Sequence, residues 1–230
     1  MTHLAGRQPV ETPLVELRQV ARTFGRGRAA MVALHEVGCT VLQGDRIAIT
    51  GPSGSGKTTL LHLIAGLDKP TAGEVRWPEF GGNPLDHPGE VGLVFQGASL
   101  LPALDVLENV ALPLLLADRP YGEAVTRARA ALEQAEIAEL AQRLPEELSG
   151  GQAQRVAVAR ALAPAPRLIA ADEPTGRLDT RHALAVVDLL VRAAGELGAT
   201  LLLATHDPRM AERLDRCWEM RDGTLNEVTA

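Results

Sequence analysis

The stretch "RIAITGPSGSGKTTLLHLIAGL", residues 46–67, constrains this chain more than any other. Arg46 to Thr50 reads as a short buried strand, and from Lys57 the apolar residues recur at helical spacing, with Gly66 offering a stop. Between them lie Gly51, Pro52, Ser53, Gly54, Ser55 and Gly56. Small residues let consecutive backbone amides curl around phosphate oxygens, and the helix start adds its partial positive charge. Lys57 then reaches the terminal phosphates, Thr58 offers a hydroxyl to Mg²⁺, and Thr59 completes the cradle. The bland alternative is a Gly/Ser turn with an incidental lysine, but the strand before and the helix after are the context a phosphate loop needs.

The rest of the chain extends that strand, loop and helix pattern. "LVELRQV" (14–20) alternates as a half-buried strand, and "HEVGCTVLQGDRIAIT" (35–50) holds two strands around a Gly-Asp turn. Prolines and glycines make 77–90 a loop before the short strand "VGLVF" (91–95). Residues 105–143 read as helical, rich in Ala, Glu, Leu and Arg. The strands "RLIAA" (167–171) and "TLLLAT" (200–205) flank a helix over 181–198. Such alternation implies a parallel sheet covered on both faces. A chain of 230 residues has room for one core plus a small subdomain, so we expect a nucleotide-binding core over 14–96 and 164–230 and a helical insertion over 97–163.

Composition narrows the function classes. The net charge is −6 and no long basic run occurs, so the footprint of a nucleic-acid binder is missing and no nucleic-acid partner is expected. Only two cysteines occur, Cys39 and Cys217, far apart and without metal-type spacing, which fits a reducing compartment such as the cytosol. The first thirteen residues lack the apolar core of a signal peptide, and the longest apolar runs, 110–117 and 199–206, fall short of the ~20 residues that span a bilayer. If the protein works at a membrane, another chain carries it there.

Further polar residues sit at strand ends. Asp172 and Glu173 close "LIAADE": the Asp can hold Mg²⁺, and the Glu can act as base toward a water aimed at the γ-phosphate. His206 follows "TLLLAT", a strand expected to run parallel to the one bearing Asp172, and the carboxyl ends of parallel strands collect ligand, so His206 should contact the γ-phosphate. Gln96 ends "VGLVF" and either lies beside the metal or simply opens a loop. Phe24, in the loop "RTFGRGR", either stacks on a base or joins a satellite core. At 148–162, "LSGGQAQRVAVARAL" opens a strong helix with a serine and two glycines, which weaken the first turn and leave amides bare.

With these pieces in this order, the chain resembles the nucleotide-binding subunits of ABC transporters from about Leu14 to Leu225. "LSGGQ" (148–152) matches that family's signature motif. The resemblance implies an ABC-type P-loop NTPase fold: a mainly parallel sheet flanked by helices, an N-terminal antiparallel β subdomain and an inserted helical subdomain. It also implies ATP and Mg²⁺ as cofactors, with Thr58, Gln96 and Asp172 at the metal and Lys57, Glu173 and His206 in catalysis. Two copies would pack head to tail, so that Ser149, Gly150, Gly151 and Gln152 of one serve the γ-phosphate held by the other. By the same resemblance Phe24 stacks on adenine, Gln96 links the metal to the membrane partner, and Asp179 communicates across the dimer.

The partners implied are a transmembrane permease, met by the segment 97–116, and a second ATP-binding subunit, with the protein held at the cytoplasmic face of the membrane. "ADEPTGRLD" (171–179) and "LENVALPLLL" look like the lipoprotein-release, macrolide-efflux and FtsE-like group, although Arg177 stands where that group has Asn. The short, proline-rich segment before Gln96 is closer to nitrate, sulfonate or taurine importers. A soluble regulatory ATPase of the same family is the reading from another class.

Overall fold

The computed structural model describes residues 12–228. Most of the segment on which the absence of a signal peptide was read lies outside them.

The elements in chain order are β1 (Val15–Phe24), β2 (Met31–Val41), β3 (Arg46–Thr50), α1 (Lys57–Ile64), β4 (Ala72–Arg76) and β5 (Val91–Val94), then the helices α2 (Val106–Leu116), α3 (Tyr121–Gln134) and α4 (Gly150–Leu162). The chain continues through β6 (Leu168–Asp172), α5 (Thr180–Leu197), β7 (Thr200–Ala204), α6 (Pro208–Ala211), β8 (Arg216–Arg221) and β9 (Thr224–Val228). Six strands form the main sheet in the order β5-β6-β7-β3-β8-β9, parallel except for β9. β2, β1 and β4 form a second, antiparallel sheet.

Alternate residues of β6 and β7 enter two different cores. Ile169, Ala171, Leu201 and Leu203 join a hydrophobic cluster with α2, α3, α4 and α5, whereas Leu168, Ala170, Leu202 and Ala204 join one with α1 and the antiparallel sheet. The two-residue period of a strand thus buries the sheet on both sides. Ile49 and Trp218 are register partners on β3 and β8 and both are fully buried. Truncating such side chains costs roughly 3–5 kcal/mol for the ring, several times a helix cap, so the loops of the site stand on the strand stack.

The fold is the expected one, with four local differences. The helical expectation over 105–143 resolves into α2 and α3, separated by residues 117–120, and α3 stops at Gln134, two residues before Glu136 adopts φ 58°. β4 was not read from "AGEVR". Nor was the β8–β9 hairpin, although Asp222 and Gly223, with φ of 46° and 75°, are the Asp-Gly pair that a two-residue hairpin turn demands. Phe24 ends β1, opposite Met31, rather than lying in a loop. Asn109, fully buried on α2, donates to the carbonyls of Leu101, Leu104 and Asp105 and accepts from the Leu101 amide, fixing the segment that leads from β5 into the helices.

Candidate active site

The phosphate loop runs from the end of β3 into α1 and is shaped by glycine where nothing else fits. Gly56, the N-cap of α1, has φ 103°, and a Cβ there would lie 2.5 Å from the Ala33 carbonyl oxygen. Gly51 has φ 140°, and its Cβ would strike the Met220 carbonyl oxygen. No side chain caps α1, so its first amides are open to a ligand. Lys57, 5% exposed, donates to the carbonyls of Gly51 (2.9 Å) and Pro52 (3.0 Å), which curls the loop around its ammonium group.

Strand ends bring the acids to the same place. Thr58 Oγ1 donates to Asp172 Oδ1 at 3.0 Å, so the two proposed metal ligands already touch. Burial pushes the Asp172 carboxyl above its ordinary range, opposed by the Thr58 hydrogen bond. Glu173 stands between two side chains: Oε1 lies 3.5 Å from Lys57 Nζ and Oε2 lies 3.4 Å from His206 Nδ1. Its backbone takes φ 44°, in the left-handed region, and its amide donates to Ala204 at 2.9 Å. Left-handed geometry is uncommon outside glycine, and here the β6–β7 pairing holds it in place to aim a carboxylate.

A cavity of about 310 Å³ is lined by Phe24, Ser53, Gly54, Gly56, Lys57, Thr58, Thr59, Gln96, Asp172 and Glu173. Met31, Val32 and Ala33 line it too; sequence reading missed them, and their only signal was their place opposite Phe24 across a hairpin. Phe24 stands outside both hydrophobic clusters, with the Arg22 guanidinium 4.5 Å from its ring centroid and Arg22 held by Asp68 at 2.8 Å. A ring so placed offers a stacking platform instead of a core contact. His206 opens on an adjoining cavity of about 130 Å³ that shares Glu173.

The residues present fit a magnesium nucleotide. Ser55 Oγ is buried in the loop without a hydrogen-bond partner, an unmade bond that a ligand can make good. No group of three or more His, Cys, Asp or Glu side chains stands ready for a metal among the described residues, which suits Mg²⁺ held by one carboxylate, a hydroxyl and phosphate oxygens.

Ser149, Gly150, Gly151, Gln152 and Asp179 line neither cavity. Ser149 caps α4 by accepting from the Gln152 amide at 3.3 Å, and Gln152 Oε1 accepts from the Ser149 amide at 2.9 Å. The start of this helix is therefore less bare than expected: Gln152 is satisfied within the chain, and the amides of Gly150 and Gly151 are left. Asp179 caps α5 and faces its own neighbour, His182. Of the segment 97–116, Val106, Val110, Ala111 and Leu114 are core, while Leu101 and Leu116 are exposed.

Comparisons with known proteins agree with this geometry. The family model described as ABC transporter matches residues 34–176, more than half of the chain. A lipoprotein-releasing system ATP-binding protein LolD from Anaeromyxobacter dehalogenans is 45% identical, covering 95% of each chain, and one from Shewanella denitrificans is 38% identical, covering 96% of this chain and 97% of the relative. The dimeric post-hydrolysis structure of the ATP-binding cassette MJ0796 with ADP and Pi superposes with a TM-score of 0.83 at 38% identity, covering 94% of this chain and 99% of that one. The cbiO1 subunit of a cbiONQ transporter complex from Clostridium perfringens gives 0.82 at 27% identity, over 93% and 87%. The chain belongs to the ABC transporter family and is one of its ATP-binding, ATP-hydrolysing cassettes.

Proposed function

We propose that this cassette powers a lipoprotein-release transporter, two copies closing on ATP and Mg²⁺ at the cytoplasmic face of a membrane whose permease is a separate chain. The transporter type is supported by 45% identity to a LolD protein over nearly the full length. No helix among the described residues is long and apolar enough to cross a membrane. Residues 97–163 would act as the arm between site and permease, with 14–96 and 164–230 as the nucleotide-binding core.

The observation that carries the catalytic reading is Glu173 held between Lys57 and His206. Phe24 stacks on the adenine, and Ser53 to Thr59 wrap the phosphates with backbone amides. Lys57 exchanges the Gly51 and Pro52 carbonyls for phosphate oxygens, which releases Glu173 to take a proton from water. That water oxygen bonds to the γ-phosphorus, the bond to the β–γ bridging oxygen breaks, and ADP and phosphate result. His206 orients Glu173 and contacts the γ-phosphate. When bound, Mg²⁺ supplies charge neutralisation at the phosphates, held by Thr58, Asp172 and Gln96. Ser149, Gly150 and Gly151 of the second copy complete the site.

Glu173→Gln should keep ATP binding, lower turnover by at least about 10²-fold and accumulate an ATP-bound dimer on gel filtration. Trapped with ATP and Mg²⁺ on its source membranes and pulled down, it should bring a permease with few spans and a large extracytoplasmic domain. A compact permease with a solute-binding protein would overturn the lipoprotein-release assignment. Normal turnover would overturn the role of Glu173.

A further inference from the structure

The segment that leaves Glu173 touches two parts of the molecule in turn, Gln96 and the start of α4. At Gly176 an added Cβ would lie 2.8 Å from Gln96 Nε2, so the loop passes directly beneath the glutamine that lines the nucleotide cavity. Leu178 reaches Gly150, where a Cβ would be 4.0 Å from Leu178 Cδ2. His182, on the first turn of α5, lies against Gly151: its Cδ2 and Cγ would be 3.1 and 3.4 Å from a Cβ there. One ten-residue run, 173–182, therefore links the catalytic base to the start of α4.

His182 is its anchor at the far end. Its amide donates to Asp179 Oδ1 at 3.1 Å, and its Nδ1 lies 2.6 Å from Asp179 Oδ2. The Asp179 carboxyl is held below the usual carboxylate range, first by the bond to the His182 ring. The carboxylate takes up Nδ1 and fixes the plane of the ring, and that plane is what rests on the second glycine of the signature helix. Both side chains are more than half exposed, at 56% and 66%. In the single chain such a pair contributes little; in the head-to-tail dimer proposed above, exclusion of water would strengthen its attraction while costing the desolvation of both groups.

We infer that His182 is a positioning residue of the composite ATP site: through Gly151 and Asp179 it sets the angle at which the signature helix of one chain meets the nucleotide of the other. The inference rests on the head-to-tail dimer proposed above. Its role is steric and directional, because the imidazole must both fill the space left by the missing Cβ of Gly151 and hold the Asp179 carboxylate.

The test compares Glu173→Gln with the double variants Glu173→Gln/His182→Ala and Glu173→Gln/His182→Asn. Binding of a fluorescent ATP analogue to dilute single chains, melting temperature, and ATP-dependent dimerisation by light scattering are measured for each. Ala at 182 should leave single-chain ATP affinity within about twofold and melting within about 2 °C, yet weaken dimerisation by at least about tenfold, the effect of one lost charge-assisted bond. Asn, which can still donate to Asp179, should recover part of that loss. Equal dimerisation with and without His182 overturns the inference alone. Failure of Glu173→Gln itself to dimerise with ATP and Mg²⁺ overturns the composite site, and this inference with it.

Discussion

Helices α1 and α4 both have glycine where a loop passes into the helix, and the chain treats their first turns in opposite ways. At α1 the N-cap is Gly56 in a left-handed conformation, with no side-chain cap, and Lys57 is folded back onto loop carbonyls. At α4 the N-cap is Ser149, and a reciprocal Ser149–Gln152 pair closes the turn. An uncapped helix start leaves its amides to a ligand bound by the same chain. A capped one keeps its shape without ligand and presents only the amides it has spared, here those of Gly150 and Gly151. The first is a binding site in its own right. The second, in the function proposed above, is a capped surface formed before any partner arrives.

Lys57→Ala strikes the first helix start hardest. Removing a cation buried among phosphate-binding amides should lower single-chain ATP affinity by at least about 100-fold, read with a fluorescent nucleotide; retained affinity would mean that the loop amides alone suffice. Ser149→Ala attacks the second. Loss of an N-cap should cost about 1 kcal/mol of folding stability in denaturant, with single-chain ATP affinity unchanged within about twofold and hydrolysis reduced. If single-chain affinity falls as well, the two helix starts are not independent.

The smallest effect sharpens the cost of keeping the first site ready. Burial raises the Asp172 carboxyl, so its charged form is disfavoured in the folded chain. The stability this group permits is present below the ordinary carboxylate range and is lost as pH rises through the raised value. Asp172→Asn retains an acceptor for Thr58 and removes the charge. Without nucleotide it should therefore melt higher than the parent at pH 7, by less than about 1 kcal/mol because the group is partly exposed, and the difference should vanish toward about pH 4. A variant that melts lower at pH 7 would show that the Thr58 bond outweighs desolvation.

Much of this was legible in advance because it is local. The phosphate loop, the acids closing β6, the histidine after β7 and the capped serine of α4 each announce themselves within a few residues. What escaped reading divides in two. The β8–β9 hairpin carried a readable Asp-Gly turn signal and was overlooked, whereas β4 is a five-residue edge strand with little apolar content, and only its pairing with β1 makes it a strand. Phe24 left two fates open; the structure sets it outside both hydrophobic clusters, with the Arg22 guanidinium 4.5 Å from its ring centroid.

The sequence by itself determined the chemistry on offer: a loop of small residues before a helix, a carboxylate pair and a histidine at strand ends, and a second helix start rich in glycine. These follow from residue type and short spacing, where backbone geometry leaves few choices. The tertiary structure decided which of those groups meet. Thr58 reaches Asp172 across 114 residues of chain, Glu173 stands between Lys57 and His206, and Gly151 rests on His182. Such meetings depend on strand order and on which core each face enters, and those arise from packing of the whole chain, which no local spacing encodes.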